Sequence, residues 1–379
     1  MNEVLGSVDV YDGGEGGYAA QNGGGYAAQG GGTVRELGYG GAASEEVAPL
    51  PVAKVAELGQ QVLAEVGTVV VGMSDALTIA LATILAGGHV LFEDVPGLGK
   101  TLAARSLAGA LGLDFARLQC TPDLLPSDIT GSSVFDPATR SFVFQPGPVF
   151  TDIFLADEIN RTAPKTQSAL LEAMAEHQVS VDGVTRKLPD PFNVIATSNP
   201  VEYEGTYPLP EAQLDRFMVR LAVGYLDPAD EAVVLERRIG RRQEGSSVRP
   251  VVDAATVRAM RAGIEAVNVD PDVVRYCVDL AAATRHNQLL EVGASPRGSQ
   301  NLLLLARAMA VLAGRDYVLP EDVKAIAVPV LAHRLTLTPQ AWAAGVSPEK
   351  LVADTLKAVP GPATVRQAGP APAQYTVVR

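Results

Sequence analysis

Residues 93–101, with the sequence EDVPGLGKT, place two glycines, a lysine and a threonine at a spacing that suits polyphosphate binding. The apolar run 89–92 before them predicts a buried strand, and the leucines and alanines after them predict a helix. A loop between a strand and a helix can turn its backbone N–H groups toward phosphates at the helix N-terminus. Lys100 would then neutralise β- and γ-phosphate charge, and the Thr101 hydroxyl would bind Mg²⁺. The segment therefore predicts a nucleoside triphosphate site.

One position departs from the P-loop pattern G-x-x-x-x-G-K-[ST], because Asp94 stands where the first glycine is expected. A glycine-rich turn with a lysine at the helix start is the structural alternative. If the loop binds a nucleotide, the contacts come from one continuous run: Asp94, Val95, Pro96, Gly97, Leu98, Gly99, Lys100 and Thr101.

A second segment, residues 151–158 (TDIFLADE), is an apolar strand that ends in two adjacent carboxylates. At the carboxyl end of a strand, Asp157 can bind Mg²⁺ beside the nucleotide, and Glu158 can act on the water that attacks the γ-phosphate. The alternative is an acidic N-cap of a following helix. Together with the P-loop, this Walker B arrangement predicts ATP hydrolysis with Thr101 and Asp157 as Mg²⁺ ligands.

Further polar residues can complete a hydrolytic site. Asn199 follows the apolar run 193–198 and could orient the attacking water, although an Asn-Pro turn is the alternative. Arg216 precedes another apolar run, and Arg297 stands at the start of a predicted helix. Either guanidinium could bind phosphate with its planar fork, or could form an ordinary surface ion pair. The candidate catalytic residues are Glu158, Asn199, Arg216 and Arg297.

Composition narrows the classes of function. The 379 residues carry a formal net charge of −13, with a pI near 4.8, which disfavours a general affinity for nucleic acid or anionic membranes but leaves a local basic pore open. No apolar run reaches the ~20 residues that cross a bilayer, and the first residues do not resemble a signal peptide, so we expect a soluble cytoplasmic protein. Cys120 and Cys277 have no metal or redox spacing, which predicts buried free thiols.

The pattern along the chain predicts four parts. Residues 1–50 are glycine-rich and repeat the sequence GGYAAQ, which predicts a disordered tail. Residues 51–228 alternate strand and helix patterns, which predicts an α/β core whose parallel sheet has helices on both faces. Residues 229–345 predict a smaller all-α domain. Residues 346–379 predict one short helix and a flexible end that contains several prolines.

In this order the segments resemble the AAA+ ATPases and, within them, the MoxR family, from about residue 52 to residue 344. The family-typical phrases are EDVPGLGKT, DEINR, LLEAM, ATSNP, EGTYPLPEAQLDRF and GASPR, which begin at Glu93, Asp157, Leu170, Ala196, Glu204 and Gly293. MoxR-like P-loops commonly carry Glu-Asp in place of the first glycine, which accounts for Asp94. Ser198 stands where many relatives have glutamine.

The resemblance implies an AAA+ core, a helical lid and a ring, usually a hexamer, in which ATP lies between two subunits. Arg216 matches the arginine finger that acts on the neighbour's ATP, and Arg297 matches the sensor 2 arginine of the lid, in cis or in trans. Residues 120–150 match a loop inserted in helix 2. Residues 177–185 match a pre-sensor hairpin, and their Asp-Gly pair independently predicts a hairpin turn. In relatives both elements face the pore and act on a client, although a simple edge ribbon is the alternative for the hairpin.

The resemblance thus implies a Mg²⁺-dependent ATPase that couples hydrolysis to remodelling, maturation or cofactor insertion in a client protein. Relatives often work beside a partner with a von Willebrand factor A domain. A DNA-acting motor is a second hypothesis, because such motors share both inserted elements, but His177, Arg186 and Lys187 are too few for a basic stripe. A third is an assembly scaffold that uses ATP only to set its oligomeric state.

Overall fold

A computed structural model of the protein describes residues 47–200, 205–242 and 247–363. Most of the segment predicted as a disordered tail, Glu204 of one family-typical phrase, and the end of the chain from residue 364 lie outside the described residues. The expectations for those segments stay predictions.

The first part of the described chain alternates helices and strands. Its helices are α1 (Val52–Gly67), α2 (Ser74–Leu85), α3 (Lys100–Ala110), α4 (Pro126–Thr130), α5 (Pro164–Glu176) and α6 (Glu211–Leu214). Its strands are β1 (Val90–Glu93), β2 (Phe115–Gln119), β3 (Gly131–Asp136), β4 (Ser141–Pro146), β5 (Ile153–Asp157), β6 (Gln178–Val181), β7 (Val184–Lys187), β8 (Asn193–Ser198) and β9 (Val219–Leu221).

Five of these strands form one parallel sheet in the order β2-β5-β8-β1-β9. Alternate residues of β5 show that both faces are covered. Ile153 and Leu155 pack in one apolar core with α2 and α3, whereas Phe154 and Ala156 pack in another with α5. Because the strands are parallel, the loops after β1, β5 and β8 meet at one edge of the sheet. The predicted α/β sheet with helices on both faces is confirmed.

Two antiparallel hairpins lie outside this sheet. β3 pairs with β4, where the rings of Phe135 and Phe142 contact each other while remaining 50% and 73% exposed. β6 pairs with β7 across a turn at residues 182–183, in which both residues have positive φ, as the Asp-Gly pair predicts. The guanidinium of Arg186 on the second hairpin lies over the Phe144 ring of the first, 3.8 Å from its centroid. The two hairpins therefore contact each other.

The second part of the chain is mainly helical. Its helices are α7 (Pro228–Arg241), α8 (Ala254–Glu265), α9 (Pro271–Arg285), α10 (Pro296–Leu312), α11 (Pro320–Leu331), α12 (Pro339–Ala343) and α13 (Pro348–Ala358). The predicted smaller helical domain is confirmed, and it also contains a short antiparallel pair, β10 (Leu290–Val292) and β11 (Thr336–Leu337), which the sequence did not predict. Strands of three and two residues are too short to produce a detectable alternation in the sequence.

The helical part is joined to the sheet through a shared apolar core. α10 contacts α1 and α2, and α13 contacts α9 and α11 with Leu351 and Val352 buried. The short helix predicted after residue 346 therefore packs with the lid helices. The proposed limits of the domains at residues 228 and 345 stay predictions.

The two cysteines are free and buried, as predicted. Burial raises the pKa of the Cys120 thiol and of the Cys277 thiol to about 12. Within the described ranges, no helix is both long enough and apolar enough to cross a membrane.

Candidate active site

The phosphate loop connects the end of β1 to the start of α3. Gly97 and Gly99 have φ of 85° and 81°, a conformation that side chains rarely adopt, so the two glycines are required by the turn itself. Among the described residues, no protein atom accepts a hydrogen bond from the backbone N–H groups of residues 97–101. These donors lie at the N-terminus of α3, where the helix dipole favours an anion. The loop thus fits a polyphosphate.

Lys100 is a buried residue in the first turn of α3. Its Nζ donates hydrogen bonds to the backbone oxygens of Asp94 and Val95, at 2.5 Å and 3.1 Å. Burial lowers the pKa of Lys100, and the surrounding carboxylates, including Asp157 and Glu158, oppose that shift by favouring the charged form. Lys100 therefore places a positive charge close to the space that the N–H groups of the loop surround.

Asp157 is the last residue of β5 and lies beside the phosphate loop. Its Oδ2 accepts a hydrogen bond from Thr101 Oγ1 at 3.1 Å, and its Oδ1 accepts one from Thr197 Oγ1 at 2.6 Å. A hydroxyl and a carboxylate are the hard oxygen ligands that Mg²⁺ prefers, with waters and phosphate oxygens completing its octahedron. The described residues contain no cluster of three or more His, Cys, Asp or Glu that could bind a metal alone. The Thr101 hydroxyl and the Asp157 carboxylate therefore fit a Mg²⁺ ion.

Glu158 follows Asp157 and has a left-handed backbone, with φ 59° and ψ 52°. Its N–H donates to Thr197 Oγ1 at 2.8 Å, so one threonine hydroxyl bridges the two Walker B residues. The Glu158 carboxylate accepts hydrogen bonds on Oε2 from Gln119 Nε2 at 2.7 Å and from Arg161 Nη1 at 3.0 Å. Side chains of the same chain therefore hold this carboxylate in place.

Arg117 and Gln119 contribute to the site without belonging to any motif. Arg117 donates from Nε to Asp157 Oδ2 at 2.9 Å, and its Nη2 donates to Gln119 Oε1 at 2.7 Å. The parallel register pairs Gln119 with Asp157 across β2 and β5. The signal that could have identified them is an alternation of polar residues in β2, which places both side chains on one face.

Asn199 is buried immediately after β8, the neighbour of β5 in the sheet. Its backbone oxygen accepts a hydrogen bond from Asn160 Nδ2 at 3.2 Å. The residue therefore lies at the same edge of the sheet as the Walker B carboxylates. Its proposed action on water stays a prediction.

Arg216 lies between two anchored residues. Arg334, on the turn after α11, donates from Nε to Asp215 Oδ1 at 2.8 Å and from Nη2 to the Phe217 oxygen at 2.6 Å. Arg297 Nη1 lies 3.8 Å from the other oxygen of the same aspartate. In the part of the chain that the structure describes, the guanidinium of Arg216 forms no hydrogen bond or ion pair. Arg297 thus pairs with the residue next to Arg216, whereas the Arg216 guanidinium itself has no partner among the described residues.

Asp94 directs its carboxylate to backbone groups. Oδ1 accepts from the N–H of Val95 at 2.8 Å, and Oδ2 accepts from the N–H groups of Val223 and Gly224, both at 2.6 Å. Its assignment to the nucleotide site, like those of Val95, Pro96 and Leu98, stays a prediction.

Comparisons with known proteins match this arrangement. Residues 89–219 match the family model described as "ATPase family associated with various cellular activities (AAA)", and residues 282–355 match the model of the AAA lid domain. A crystal structure of a candidate ATPase from Cytophaga hutchinsonii has a TM-score of 0.75 and 42% identity, and the match covers 81% of this chain and 95% of that one. The core-and-lid architecture is therefore shared with ATPases of this class.

Three relatives define the branch of that class. The protein YeaC of Bacillus subtilis is 47% identical, over 78% of this chain and 92% of its own length. The chaperone MoxR1 of Mycobacterium tuberculosis is 40% identical, over 79% of this chain and 81% of its own. The protein MoxR of Paracoccus denitrificans is 34% identical over 72% and 86%. The chain therefore belongs to the MoxR family of AAA+ ATPases and is an ATP hydrolase.

Proposed function

We propose that this ATPase requires Mg²⁺ and couples ATP hydrolysis to the remodelling, maturation or cofactor insertion of a client protein. The observation that carries the proposal is the convergence of Lys100, Thr101, Asp157 and Glu158 at one edge of the sheet, with Thr101 bonded directly to Asp157. The roles of the other hydrolytic residues are proposed from this arrangement.

The phosphate loop binds ATP through its N–H groups, and Lys100 leaves its carbonyl acceptors to pair with phosphate. Thr101 and Asp157 hold Mg²⁺, which when bound supplies positive charge to the phosphate oxygens. Glu158 accepts a proton from the attacking water, because its backbone is fixed by Thr197 and its carboxylate lies at the strand end. Asn199 orients that water.

The active form is an oligomer, and a hexameric ring is the form we propose. Arg216 supports this proposal because its backbone is anchored on both sides whereas its guanidinium has no partner in its own described chain. A fixed backbone with an unpartnered cation suits a residue that acts on the nucleotide of an adjoining copy. Arg297, which lies beside Asp215, is the second arginine of this interface, in cis or in trans.

The client is a protein, and the β3–β4 hairpin is its contact. The exposed aromatic rings of Phe135 and Phe142 support this assignment, as does the name of the relative called chaperone MoxR1. A companion protein with a von Willebrand factor A domain, and a cytoplasmic location, are parts of the same proposal. A DNA motor receives less support, because Arg186 is engaged with the Phe144 ring and with backbone oxygens rather than exposed for phosphate contact.

The first experiment compares Glu158→Gln with Glu176→Gln, an exposed carboxylate outside the site. Glu158→Gln should still bind ATP but should release phosphate on the order of 10²-fold to 10⁴-fold more slowly, because the general base is lost. Nucleotide binding is followed by equilibrium titration and turnover by phosphate release. Undiminished turnover in Glu158→Gln would contradict the assigned role.

A second experiment addresses the client. The Glu158→Gln protein with ATP should retain a protein partner that the double variant with Phe142→Ser does not retain, while Phe142→Ser alone keeps its basal hydrolysis. Equal retention by both would remove the hairpin from the proposal. Hydrolysis that no partner alters would favour the scaffold hypothesis.

A further inference from the structure

Glu93 and Asp94 are consecutive carboxylates at the junction of β1 and the phosphate loop. Asp94 accepts two hydrogen bonds of 2.6 Å from the N–H groups of Val223 and Gly224. These donors belong to the crossing segment, residues 222–227, which leads from β9 to α7. Gly224 has φ 73°, and successive N–H groups in such a turn converge on one anion. Asp94 thus ties the phosphate loop to the chain that enters the helical part.

The backbone of Asp94 is engaged as well. Its carbonyl accepts a hydrogen bond from Lys100 Nζ at 2.5 Å, and its N–H donates to the Ser198 oxygen at 3.1 Å, at the end of β8. One residue therefore contacts the loop lysine, a central strand and the crossing segment. Any change in the position of Lys100 alters one of these three restraints.

Glu93 makes a second, parallel connection. Its carboxylate pairs with Arg220 Nη1 on β9 at 2.9 Å, and Arg220 Nη2 pairs with Glu349 on α13 at 2.8 Å. The side chain of Arg220 is only 23% exposed, so solvent screens this chain of charges less than a surface pair. Three side chains thus connect β1 to the last described helix.

We propose that Glu93 and Asp94 form a clasp that couples the occupancy of the phosphate loop to the helical part of the chain. Asp94 is a positioning residue that acts on the crossing segment, and Glu93 acts through Arg220 on α13. The inference rests on the proposed function, because Lys100 must exchange the Asp94 carbonyl for a phosphate when ATP binds. The clasp also explains why an acid replaces the usual glycine: three N–H groups donate hydrogen bonds to its carboxylate, which stabilises the negative charge beside a polyanion site.

The test compares Asp94→Gly, which restores the usual P-loop residue, with Asp94→Asn, which keeps the size but turns one acceptor oxygen into a donor. Asp316→Asn, at an exposed carboxylate, is the control. Asp94→Gly should keep its ATP affinity within about threefold, while kcat falls at least about tenfold, because the three hydrogen bonds that the Asp94 carboxylate accepts are lost and the loss of one such bond already accounts for about tenfold. Asp94→Asn should show a smaller loss of kcat.

Hydrogen exchange of the backbone amides, measured with and without ATP and Mg²⁺, separates coupling from a merely structural role. A structural role would not make the exchange rates depend on ATP. In the wild type, ATP should change exchange in the crossing segment and in α13. In Asp94→Gly, the crossing segment should exchange quickly in both conditions. In Glu349→Gln, the crossing segment should respond as in the wild type, while the response of α13 is lost.

Each outcome decides between hypotheses. Wild-type kcat together with a wild-type exchange response in Asp94→Gly would overturn the clasp and leave the proposed function intact. An α13 response preserved in Glu349→Gln would overturn the branch through Glu93. If Asp94→Gly does not fold, the same two measurements on Asp94→Asn decide, and wild-type behaviour there overturns the clasp. A wild-type protein that neither binds nor hydrolyses ATP would refute the proposed function itself.

Discussion

The two charged regions of the candidate active site differ in how many hydrogen bonds and ion pairs their side chains form within the described chain. At the end of β5, Asp157 and Glu158 together receive side-chain hydrogen bonds from Thr101, Arg117, Gln119, Arg161 and Thr197. Arg216, by contrast, has no partner for its guanidinium among the described residues. The side chains of the carboxylate region thus have partners within one copy, whereas the guanidinium of Arg216 is left available for the nucleotide of an adjoining copy, on which we propose that it acts.

The contrast does not come from a loose backbone around Arg216. Both neighbours of this residue are fixed by Arg334, whose side chain is only 1% exposed. Because the backbone at Arg216 is already fixed, little main-chain conformational entropy is lost when the guanidinium binds a partner. This rigidity supports the proposal that Arg216 acts on the nucleotide of an adjoining copy.

The largest effect is expected for Arg216→Ala. Hydrolysis should fall about 10³-fold, as for the loss of an arginine that stabilises phosphoryl transfer. ATP binding and the unfolding temperature should stay unchanged, because the Arg216 guanidinium forms no hydrogen bond or ion pair with the described residues. Phosphate release and thermal unfolding check this, with Arg238→Ala on the exposed side of α7 as the control. A lowered unfolding temperature with normal turnover would mean that Arg216 serves its own chain.

Mixed oligomers test whether Arg216 acts on the nucleotide of an adjoining subunit. Arg216→Ala subunits still carry Glu158, and Glu158→Gln subunits still carry Arg216, so a mixture contains interfaces with both residues intact. We expect the mixture to recover part of the wild-type turnover. If turnover stays at the level of the separate variants, either the action in trans or the independence of the sites is wrong.

Arg334→Met should have the next largest effect. The buried guanidinium bonds to the Asp215 carboxylate and to the Phe217 oxygen, and burial lowers its pKa to about 10, which leaves it charged at neutral pH. Its removal leaves a carboxylate and backbone oxygens without their donor, so the free energy of unfolding should fall by about 3–5 kcal/mol. Urea unfolding measures this loss. A combined variant with Asp215→Asn should lose less than the sum of the two single changes; strict additivity would show that the pair is not coupled.

Acid should destabilise the sheet that carries the carboxylate region. His89, which directly precedes β1, contacts both β8 and α5. Its Nδ1 accepts a hydrogen bond from the Val194 N–H on β8 at 2.9 Å, and its Nε2 lies 3.2 Å from the Met174 oxygen on α5. Burial lowers the pKa of His89 from 6.5 to about 4, so the unfolded chain takes up the proton more readily. This contribution to stability is complete above pH 6.5 and is lost as the pH falls toward 4.

Between pH 7 and pH 5 the loss assigned to His89 is about 2 kcal/mol. Urea unfolding of the wild type and of His89→Asn at both values measures it, because the variant should depend less on pH. His286→Asn, at an exposed histidine, is the control and should behave like the wild type. An equal slope in wild type and His89→Asn would contradict the assignment.

The strand-end carboxylates could be predicted because their signal is local. An apolar run followed by Asp157 and Glu158 marks a buried strand and its carboxyl end, and parallel strands bring such ends together. The positive φ at Gly97 and Gly99 is likewise consistent with residue type, because glycine adopts this conformation readily. These features depend on short stretches whose physics is visible in the residues themselves.

The contacts that hold the site could not be predicted in the same way. Arg334 reaches Asp215 across 119 positions, and Asp94 reaches Val223 across 129. No spacing rule connects such distant residues, because the sheet order and the packing of the lid bring them together. Arg117 and Gln119 show an intermediate case, since their alternation in β2 was visible whereas their neighbour β5 was not.

The burial of both native thiols has a practical consequence. With pKa values raised to about 12, Cys120 and Cys277 contain almost no thiolate near neutral pH and should resist alkylating reagents. A single cysteine introduced at an exposed position such as Phe142 would then accept a fluorescent dye without first removing the native ones. Distances between subunits and hairpin movements during turnover could thus be followed by spectroscopy on an otherwise unaltered chain.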